Sequence, residues 1–233
     1  MADKPHLKMI VTGHIDNGKS TTMGHFLMDL GVVDERTIAA HADESEKTGK
    51  GDTFKYAWVM DNIKDERERG ITIDLAFQKF ESSKYFFTLI DAPGHRDFIK
   101  NMITGASEAD AAILVLSAKE GETDTATAAG GQAREHAFLL KTLGVKQIIV
   151  AINKMDAVEY KEDAFNAAKE KGEKLVKSVG YKLENVPIIP VSGWKGDNLV
   201  KKTENMPWYS GKTLLEAFDD FTVEEKPIGK PLR

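Results

Sequence analysis

The segment that most constrains this chain is a glycine-rich loop placed between a short apolar run and a helical pattern. Residues 13–20 read Gly-His-Ile-Asp-Asn-Gly-Lys-Ser, which fits the pattern G-x-x-x-x-G-K-[ST]. The apolar run at 7–12 predicts a strand, and apolar side chains recur at helical spacing over 19–30. A loop of this composition in this position predicts a phosphate-binding site between the first strand and the first helix.

The chemistry of phosphate binding explains each residue type in the loop. Gly13 and Gly18 let the backbone curl so that several N–H groups point at one anion, and the helix N-terminus adds partial positive charge. Lys19 is expected to reach the β- and γ-phosphates of a nucleoside triphosphate, and the Ser20 hydroxyl to coordinate Mg²⁺. A glycine-rich turn without a ligand is the alternative interpretation. The predicted nucleotide site also includes the remaining polar residues of the loop, His14, Asp16 and Asn17.

Short apolar runs alternate with longer helical patterns along most of the chain. Further strands are predicted at 85–91, 112–117, 147–152 and 188–191, and helices at 97–105, 128–143, 161–179 and 212–221. Apolar runs without polar alternation suit strands that are buried on both faces, and helices between them imply right-handed parallel crossovers. The sequence therefore predicts an α/β fold with helices on both faces of a mostly parallel sheet.

One connection breaks this alternation. Residues of about 33–71 are rich in charge and contain no buried strand pattern, although 39–47 and 57–69 carry helical patterns. A connection of this length in a compact domain is usually functional or mobile. A solvated surface insertion is the alternative interpretation when this segment is considered alone.

Composition excludes several classes of protein. The chain has 32 Lys and Arg residues against 37 Asp and Glu, a net charge of −5, whereas non-specific coating of nucleic acid needs a basic surface. It has no cysteine, which excludes disulfides, thiolate metal sites and cysteine nucleophiles and suits a reducing compartment. No stretch of the sequence is typical of a targeting peptide or a membrane span. We therefore expect a cytoplasmic protein that does not use a membrane.

A second motif, Asp91-Ala-Pro-Gly94, follows the predicted strand at 85–91. A carboxylate at the end of that strand is expected beside the phosphate loop, where it can hold Mg²⁺ through water. Gly94 can offer its N–H to the γ-phosphate because no side chain blocks the approach. By itself the pattern D-x-x-G is more typical of a turn, and only the phosphate loop gives it functional weight.

A third motif, Asn153-Lys-Met-Asp156, follows the predicted strand at 147–152. The Asp156 carboxylate can accept hydrogen bonds from N1–H and the exocyclic amine of guanine, whereas adenine presents an acceptor and no amine. Asn153 is expected to bridge the phosphate loop and the base edge, and the stem of Lys154 to pack over the ring. A plain turn is the alternative interpretation of this short motif.

A fourth segment, Ser192-Gly193-Trp194, follows the last predicted strand. We expect the Gly193 N–H to meet guanine O6 and Trp194 to pack near the base, although a lone Trp more often fills a core. The strand-end motifs occur together and in order, so they predict a site for GTP and GDP rather than ATP.

These residues resemble the translational GTPases of the elongation factor Tu family, and most closely its archaeal and eukaryotic form, elongation factor 1-alpha. The resemblance extends over essentially the whole chain, and the long insertion is similar to that of the archaeal and eukaryotic form. It implies a P-loop NTPase G domain with a six-stranded sheet. The strings that carry it lie at 13–21, 65–73, 91–102 and 153–156.

The resemblance also implies roles for individual residues. Thr72 matches the switch threonine that binds Mg²⁺ and meets the γ-phosphate, Thr21 matches a contact to the α-phosphate, and His95 matches the histidine that orients the attacking water. Lys19, Thr72 and His95 are therefore the expected catalytic residues. Asp16 matches a position near a monovalent cation, and Ile15 matches part of an apolar gate beside His95.

One residue departs from the commonest family pattern. Asn17 stands where that loop has His, a change that leaves the backbone cradle intact and bears on the subfamily alone.

The resemblance implies a monomeric GTPase that turns over slowly alone and faster on the ribosome. Its partners would be aminoacyl-tRNA, delivered to the ribosomal A site, and a guanine-nucleotide exchange factor. The implied G domain spans 1–225, and 226–233 would be a linker to C-terminal β-barrel domains, so the chain is expected to be a fragment.

Two other functions stay open at this point. The G domain of a release-factor, rescue-factor or sulfate-activation GTPase shares the same motifs. A P-loop kinase acting on a small molecule shares only the phosphate loop, and the segment at 153–156 argues against it.

Overall fold

The computed structural model describes residues 4–47, 49, 54–61 and 64–223, except for the side chains of Lys64 and Glu68. The predicted linker at 226–233 and the predicted domain end at 225 lie outside the described residues.

The strands of the described chain form a six-stranded sheet in the order β2-β3-β1-β4-β5-β6. Neighbouring strands run parallel, except that β2 runs antiparallel to β3. The prediction of a mostly parallel α/β sheet is therefore confirmed. The strands are β1 at His6–Gly13, β2 at Ala76–Glu81, β3 at Phe86–Asp91, β4 at Ala111–Ser117, β5 at Gln147–Asn153 and β6 at Ile188–Pro190.

Strand β2 was not predicted from the sequence. It lies at the edge of the sheet, and only alternate residues such as Ala76 and Phe80 are buried, while Phe77 is half exposed. A strand covered on one face lacks the continuous apolar run by which the buried strands were recognised.

Helices occupy the connections between the strands. They are α1 at Lys19–Asp29, α2 at Glu35–Lys47, α3 at Phe54–Ala57, α4 at Lys64–Arg69, α5 at Ile99–Ser107, α6 at Glu122–Thr127, α7 at Gln132–Thr142, α8 at Glu162–Ser178 and α9 at Leu214–Phe218.

Helix α6 was not predicted from the sequence, and three of the predicted helices have other bounds. The pattern at 57–69 forms two short helices, α3 and α4, with a turn at 58–60 between them. The pattern at 128–143 begins only at α7, because Gly130 adopts a positive φ and a Cβ on Gly131 would overlap the Ala126 carbonyl. Helix α9 begins later than expected because Thr213 forms a capping box that fixes its first turn, and it ends earlier, at Phe218.

Two hydrophobic cores lie on opposite faces of the sheet. Strand β4 shows this directly, since Ile113 packs in the core that contains Phe26 of α1, while Leu114 packs in the core that contains Met102 of α5 and Leu140 of α7. Alternate side chains of a strand point to opposite faces, so a strand with apolar residues at every position needs helices on both sides. The prediction of helices on both faces is confirmed.

The sheet brings the sequence motifs to one edge. The register pairs Val11 with Asp91, Gly13 with Val115 and Ser117 with Asn153. Loops that follow neighbouring parallel strands therefore meet at the carboxyl edge, where ligands of open α/β sheets bind.

Within the part of the chain that the structure describes, no helix has the length and apolar composition needed to cross a membrane.

The aromatic cluster beneath α1 makes a specific stability prediction. Phe87 is fully buried between Phe80, with ring centroids 4.9 Å apart, and Phe218, at 5.9 Å. We expect Phe87→Ala to lower the free energy of unfolding by about 3–5 kcal/mol, because it removes transfer energy and leaves a cavity. Phe138 is 62% exposed, so Phe138→Ala is the matched control and should change it by less than about 1 kcal/mol. Guanidinium unfolding at a fixed nucleotide concentration measures both, and equal losses would contradict this assignment of the core.

Candidate functional site

A cleft of about 540 Å³ lies at the carboxyl edge of the sheet. It is formed by the loop after β1, the insertion, the loop after β3 and the loops after β5 and β6. Residues from every predicted motif line it: Ile15, Asp16, Gly18, Lys19, Ser20, Thr21, Thr72, Gly94, His95, Asn153, Lys154, Asp156 and Trp194. A second set of predicted residues lies behind this lining and supports it: Gly13, His14, Asn17, Asp91, Ser192 and Gly193.

The loop after β1 folds tightly because its glycines adopt conformations that other residues avoid. Gly13 has a φ of 144° and Gly18 a φ of 79°. A Cβ on Gly13 would overlap the Val115 carbonyl oxygen, and a Cβ on Gly18 would lie 2.6 Å from Asn153 Nδ2. The backbone thus curls around the Lys19 ammonium, which donates to the His14 carbonyl oxygen at 3.1 Å.

Lys19 and Asp91 place opposite charges inside the cleft wall. Burial lowers the pKa of Lys19, and the Asp91 carboxylate opposes this. Burial raises the pKa of Asp91 to about 6, and Lys19 opposes that shift in turn. Neither Asp91 carboxylate oxygen has a hydrogen-bond partner among the described residues. Buried oxygens without partners are costly, so this arrangement favours a bound cation or its water shell.

Gly94 leaves the space above Lys19 open. A Cβ at this position would overlap the Lys19 ammonium and would lie 3.0 Å from the Ile15 nitrogen. Glycine therefore suits this close approach of the loop after β3, since a side chain here would displace the Lys19 ammonium and crowd the Ile15 nitrogen. The cradle fits a phosphate group, because the Lys19 ammonium and the N-terminus of α1 meet where Gly94 carries no side chain.

The insertion brings Thr72 to the phosphate loop. Thr72 is buried, and its Oγ1 lies 3.1 Å from Ser20 Oγ. Hydroxyls of these two residues and the Asp91 carboxylate are the hard oxygen ligands that Mg²⁺ prefers, so this donor set fits the ion.

Asp61 was missed by sequence reasoning and lies beside these ligands. It accepts a hydrogen bond from Thr72 at 3.4 Å. Burial, with the nearby charges of Asp91 and Glu66, raises the pKa of Asp61 to about 7. One Asp among the many acidic residues of the insertion carries no signal in the sequence.

A clamp formed by Glu66 and Asn101 holds the chain that follows Thr72. The buried Glu66 carboxylate accepts from the Ile73 nitrogen at 2.9 Å and the Asp74 nitrogen at 3.0 Å. On the opposite side, Asn101 of α5 donates to the Ile73 carbonyl at 2.9 Å. Neither residue was predicted for the site, although both lie in the strings that carry the family resemblance.

His95 lines the cleft with its side chain about one third exposed. Its Nδ1 accepts a hydrogen bond from the Asp97 nitrogen at 3.1 Å, which caps the short 3₁₀ turn at Arg96–Phe98. Ile15 lines the same cleft, and its nitrogen donates to Gln132 Oε1 at 3.3 Å. Both residues therefore line the phosphate end of one cleft, and their expected roles in hydrolysis stay predictions.

Asn153 connects the phosphate loop with the loop after β6. Its Nδ2 donates to the Asn17 carbonyl at 2.8 Å, and its Oδ1 accepts from the Gly193 nitrogen at 2.8 Å. The expectation that the Gly193 N–H faces guanine O6 is therefore not met in this structure. Strand β6 lies parallel to β5, so the loops after both strands pack together and Gly193 finds its acceptor in Asn153.

Asp156 and Lys154 are each held by a partner. Ser192 Oγ donates to Asp156 Oδ1 at 2.5 Å, which leaves the other carboxylate oxygen for a ligand. Lys154 Nζ forms a 2.7 Å ion pair with Glu122 of α6, a residue that sequence reasoning missed because α6 itself was not predicted.

Asn17, the residue that departs from the family pattern, supports the phosphate loop. Its side chain is buried, and Nδ2 donates to the Val115 carbonyl at 2.9 Å. The Asn17 side chain therefore bonds the phosphate loop to β4 and does not line the cleft.

The sequence profile of the family described as elongation factor Tu GTP binding domain matches residues 4–224. The chain is 87% identical over 233 residues to an elongation factor 1-alpha of Cenarchaeum symbiosum (strain A), covering 100% of this chain and 53% of that relative. It is 56% identical over 232 residues to the elongation factor 1-alpha of Desulfurococcus mucosus, covering 99% and 53%. The chain thus spans about half the length of the curated relatives it matches.

Solved structures show the same fold. A structure of sup35 complexed with GDP is 31% identical with a TM-score of 0.69, covering 94% of this chain and 45% of that one. The S. cerevisiae Ski7 GTPase-like domain bound to GTP has a TM-score of 0.78 at 24% identity, covering 92% and 49%. This second likeness concerns the fold alone.

His136 beneath the phosphate loop makes a prediction about pH. It is 1% exposed and its Nδ1 lies 2.7 Å from Thr12 Oγ1. Burial, followed by the charge of Lys19, lowers the pKa of His136 to about 3. The unfolded chain protonates this imidazole near pH 6.5 and the folded chain does not, so acid favours unfolding.

Stability contributed by His136 is therefore present above pH 6.5 and is lost as the pH falls toward 3. We expect His136→Asn to reduce the loss of unfolding free energy between pH 7 and pH 5 by about 2 kcal/mol. His6→Asn at the exposed start of β1 is the control and should leave that slope unchanged. Urea unfolding at the two pH values measures it, and identical slopes in the wild type and His136→Asn would refute the assignment.

Proposed function

The chain belongs to the elongation factor Tu GTP-binding domain family, and from this premise we propose that it binds GTP and GDP and hydrolyses GTP. In this proposal it is the switch domain of a translation elongation factor that delivers aminoacyl-tRNA to the ribosomal A site. The observation that carries the proposal is the meeting, in one cleft, of Lys19, Thr72 of the insertion and the Asp156 carboxylate.

Guanine specificity is supported by the geometry around Asp156. Ser192 fixes one carboxylate oxygen, and Asn153 joins the phosphate loop to the base loop at 2.8 Å on either side. A carboxylate held in this way can accept hydrogen bonds from N1–H and the exocyclic amine of guanine, whereas adenine would leave it without a donor. Lys154 and Trp194 line the same cleft and would flank the base.

The phosphate end of the cleft supports binding of the Mg²⁺ complex of the nucleotide. Ser20 and Thr72 would hold the ion directly, and Asp91 through water. Mg²⁺, when bound, supplies charge compensation at the phosphates. Lys19 would meet the β- and γ-phosphates, Thr21 the α-phosphate, and Gly94 would donate its N–H to the γ-phosphate. Asp16 would contribute a ligand for a monovalent cation.

Hydrolysis would follow from in-line attack of water on the γ-phosphate. His95 orients that water, Lys19 offsets charge that develops on the phosphoryl oxygens, and Ile15 restrains the imidazole until the ribosome completes the site. An arginine that reached the γ-phosphate would stabilise charge in the transition state and speed hydrolysis. Slow intrinsic turnover is expected because the nearby Arg67 is held elsewhere: its Nε donates to the Asp61 carbonyl at 3.0 Å and its Nη1 contacts Glu44 at 3.3 Å. Its guanidinium is thus engaged inside the insertion.

Thr72 would make the insertion a switch. When the γ-phosphate is lost, Thr72 would lose its contacts with the phosphate and Mg²⁺, and the segment held by Glu66 and Asn101 would become free to move. The insertion at about 33–71 would therefore report the nucleotide state to partners.

The wider assignment includes partners beyond the nucleotide. We place the G domain at 1–225 and a linker at 226–233, followed in the full-length protein by β-barrel domains that share in tRNA binding. The factor would act in the cytoplasm as a monomer, with the ribosome, aminoacyl-tRNA and a guanine-nucleotide exchange factor as partners. Identity of 87% to a relative named elongation factor 1-alpha supports elongation over a release or rescue function.

Replacing Asp156 tests guanine recognition. We expect Asp156→Asn to weaken GDP binding about 10²-fold or more, since two charge-assisted hydrogen bonds are lost, and to gain binding of xanthosine diphosphate. Asp163→Asn, an exposed change on α8, is the matched control and should leave both affinities unchanged. Competition against a fluorescent GDP analogue measures them, and equal affinity of the wild type for GDP and ADP would overturn the proposed specificity.

Replacing His95 tests catalysis in the full-length protein. We expect His95→Ala to retain GTP binding and to reduce ribosome-stimulated hydrolysis by about 10²–10⁴-fold, because the water is no longer oriented. His6→Ala, at the far end of β1, is the control. Single-turnover phosphate release on ribosomes measures the rate, and an unchanged stimulated rate in His95→Ala would remove this residue from the mechanism.

A further inference from the structure

Two buried aromatic rings join the phosphate-loop helix to the insertion. His25 of α1 and Tyr56 of α3 stack with ring centroids 4.0 Å apart and planes inclined by only 9°. His25 is 6% exposed and Tyr56 is 9% exposed. Neither ring lines the nucleotide cleft, and neither belongs to a motif used so far, so the stack needs an explanation of its own.

His25 also fixes the base loop. Its Nδ1 lies 2.8 Å from the Gly193 carbonyl oxygen, which can only accept, so this nitrogen carries the hydrogen and donates. The Gly193 nitrogen donates to Asn153 on its other side. Gly193 is therefore held from both sides, and Ser192, which orients Asp156, is its direct neighbour in the chain.

Close packing makes this arrangement depend on the position of α3. A Cβ on Gly24 would overlap the Tyr56 carbonyl oxygen, so α3 lies against the backbone of α1 where only glycine permits it. The Tyr56 ring meets Trp194 edge-on at 6.0 Å between centroids. Phe54 and Ala57 of the same short helix line the nucleotide cleft. One face of α3 thus packs on His25, while its other residues form part of the cleft wall.

We propose that His25 is a positioning residue for guanine recognition that works only while α3 of the insertion is docked on it. Through Gly193 it sets the loop that orients Asn153 and Asp156. Docking of α3 and recognition of the guanine edge are then coupled, since each favours the same arrangement of this loop. The inference rests on the proposed guanine-nucleotide function and extends it from the cleft to the insertion.

Three substitutions test the stack and the hydrogen bond one at a time. His25→Phe keeps a ring for Tyr56 but has no donor for the Gly193 carbonyl, whereas Tyr56→Leu keeps the donor and removes the ring. Tyr56→Phe preserves the stack and is the control. The readout is the affinity for GDP relative to inosine diphosphate, which lacks only the exocyclic amine that Asp156 would bind.

We expect His25→Phe and Tyr56→Leu each to weaken GDP binding about tenfold, because each releases the loop at Gly193, and to reduce the preference for GDP over inosine diphosphate several-fold. Tyr56→Phe should keep the wild-type ratio. A merely structural role would weaken both nucleotides equally and leave the ratio unchanged, and that result would overturn the proposal. If the wild type itself does not prefer GDP to ADP, the proposed function fails instead, which is a distinguishable outcome.

Gly24→Ala supplies an independent variant that leaves both rings and the donor in place. Alanine has a higher helix propensity than glycine, so the substitution does not weaken α1 itself. The new methyl group would overlap the Tyr56 carbonyl oxygen and push α3 away. The preference for GDP over inosine diphosphate should again fall several-fold. Hydrogen exchange of the α3 amides should slow on GDP addition in the wild type and not in this variant, and equal slowing in both would contradict the coupling.

Discussion

The buried electrostatic balance around Lys19 is the constraint on which the rest of this site depends. An ammonium inside a protein is unfavourable unless opposite charge compensates it, and here Asp91 supplies that charge from the end of the neighbouring strand. Carboxylates outnumber the Lys19 ammonium in this region, because Asp61 and Glu66 lie close to Asp91. Burial, with a smaller contribution from the neighbouring carboxylates, raises the pKa of Asp61 to about 7 and that of Asp91 to about 6. A cation together with a phosphate would complete the set, since each satisfies the charges that the protein leaves uncompensated.

Beside the phosphate loop the insertion is held by short polar contacts, whereas Tyr56, Val59 and Met60 attach it to the hydrophobic core under α1. Thr72 meets Ser20 at 3.1 Å, Glu66 caps the next two backbone nitrogens, and Asn101 holds Ile73 from α5. Contacts of this kind are individually modest in net energy and directional, so a change in the partner of Thr72 can release the whole segment. At its other end the insertion packs α3 on α1 through the aromatic stack. The two attachments differ in chemistry: the one at Thr72 is polar and could be made or broken by a bound phosphate, whereas the aromatic stack could not.

Sequence reasoning recovered the buried strands and the strand-end motifs because both leave local signatures. Continuous apolar runs indicate strands covered on both faces, and glycines at positions 13, 18 and 94 stand where a Cβ would collide. Strand β2 and helix α6 were not predicted, because the hydrophobic periodicity of an edge strand and of a two-turn helix is weak. The Gly193 N–H was assigned to the base because its competing acceptor, Asn153, is distant in sequence and adjacent only across β5 and β6.

By itself the sequence determined which chemistry the chain carries: a phosphate loop, a carboxylate for a base edge, and a switch threonine within a long insertion. These depend on residue types at short spacing, where backbone conformation and side-chain chemistry are local properties. Only the tertiary structure decided which residues support them. Asn101 reaches Ile73, Glu122 reaches Lys154, and His25 reaches Gly193 across many intervening residues. Packing of helices and loops on the sheet creates those contacts, so they could not be predicted from the pattern of any one segment.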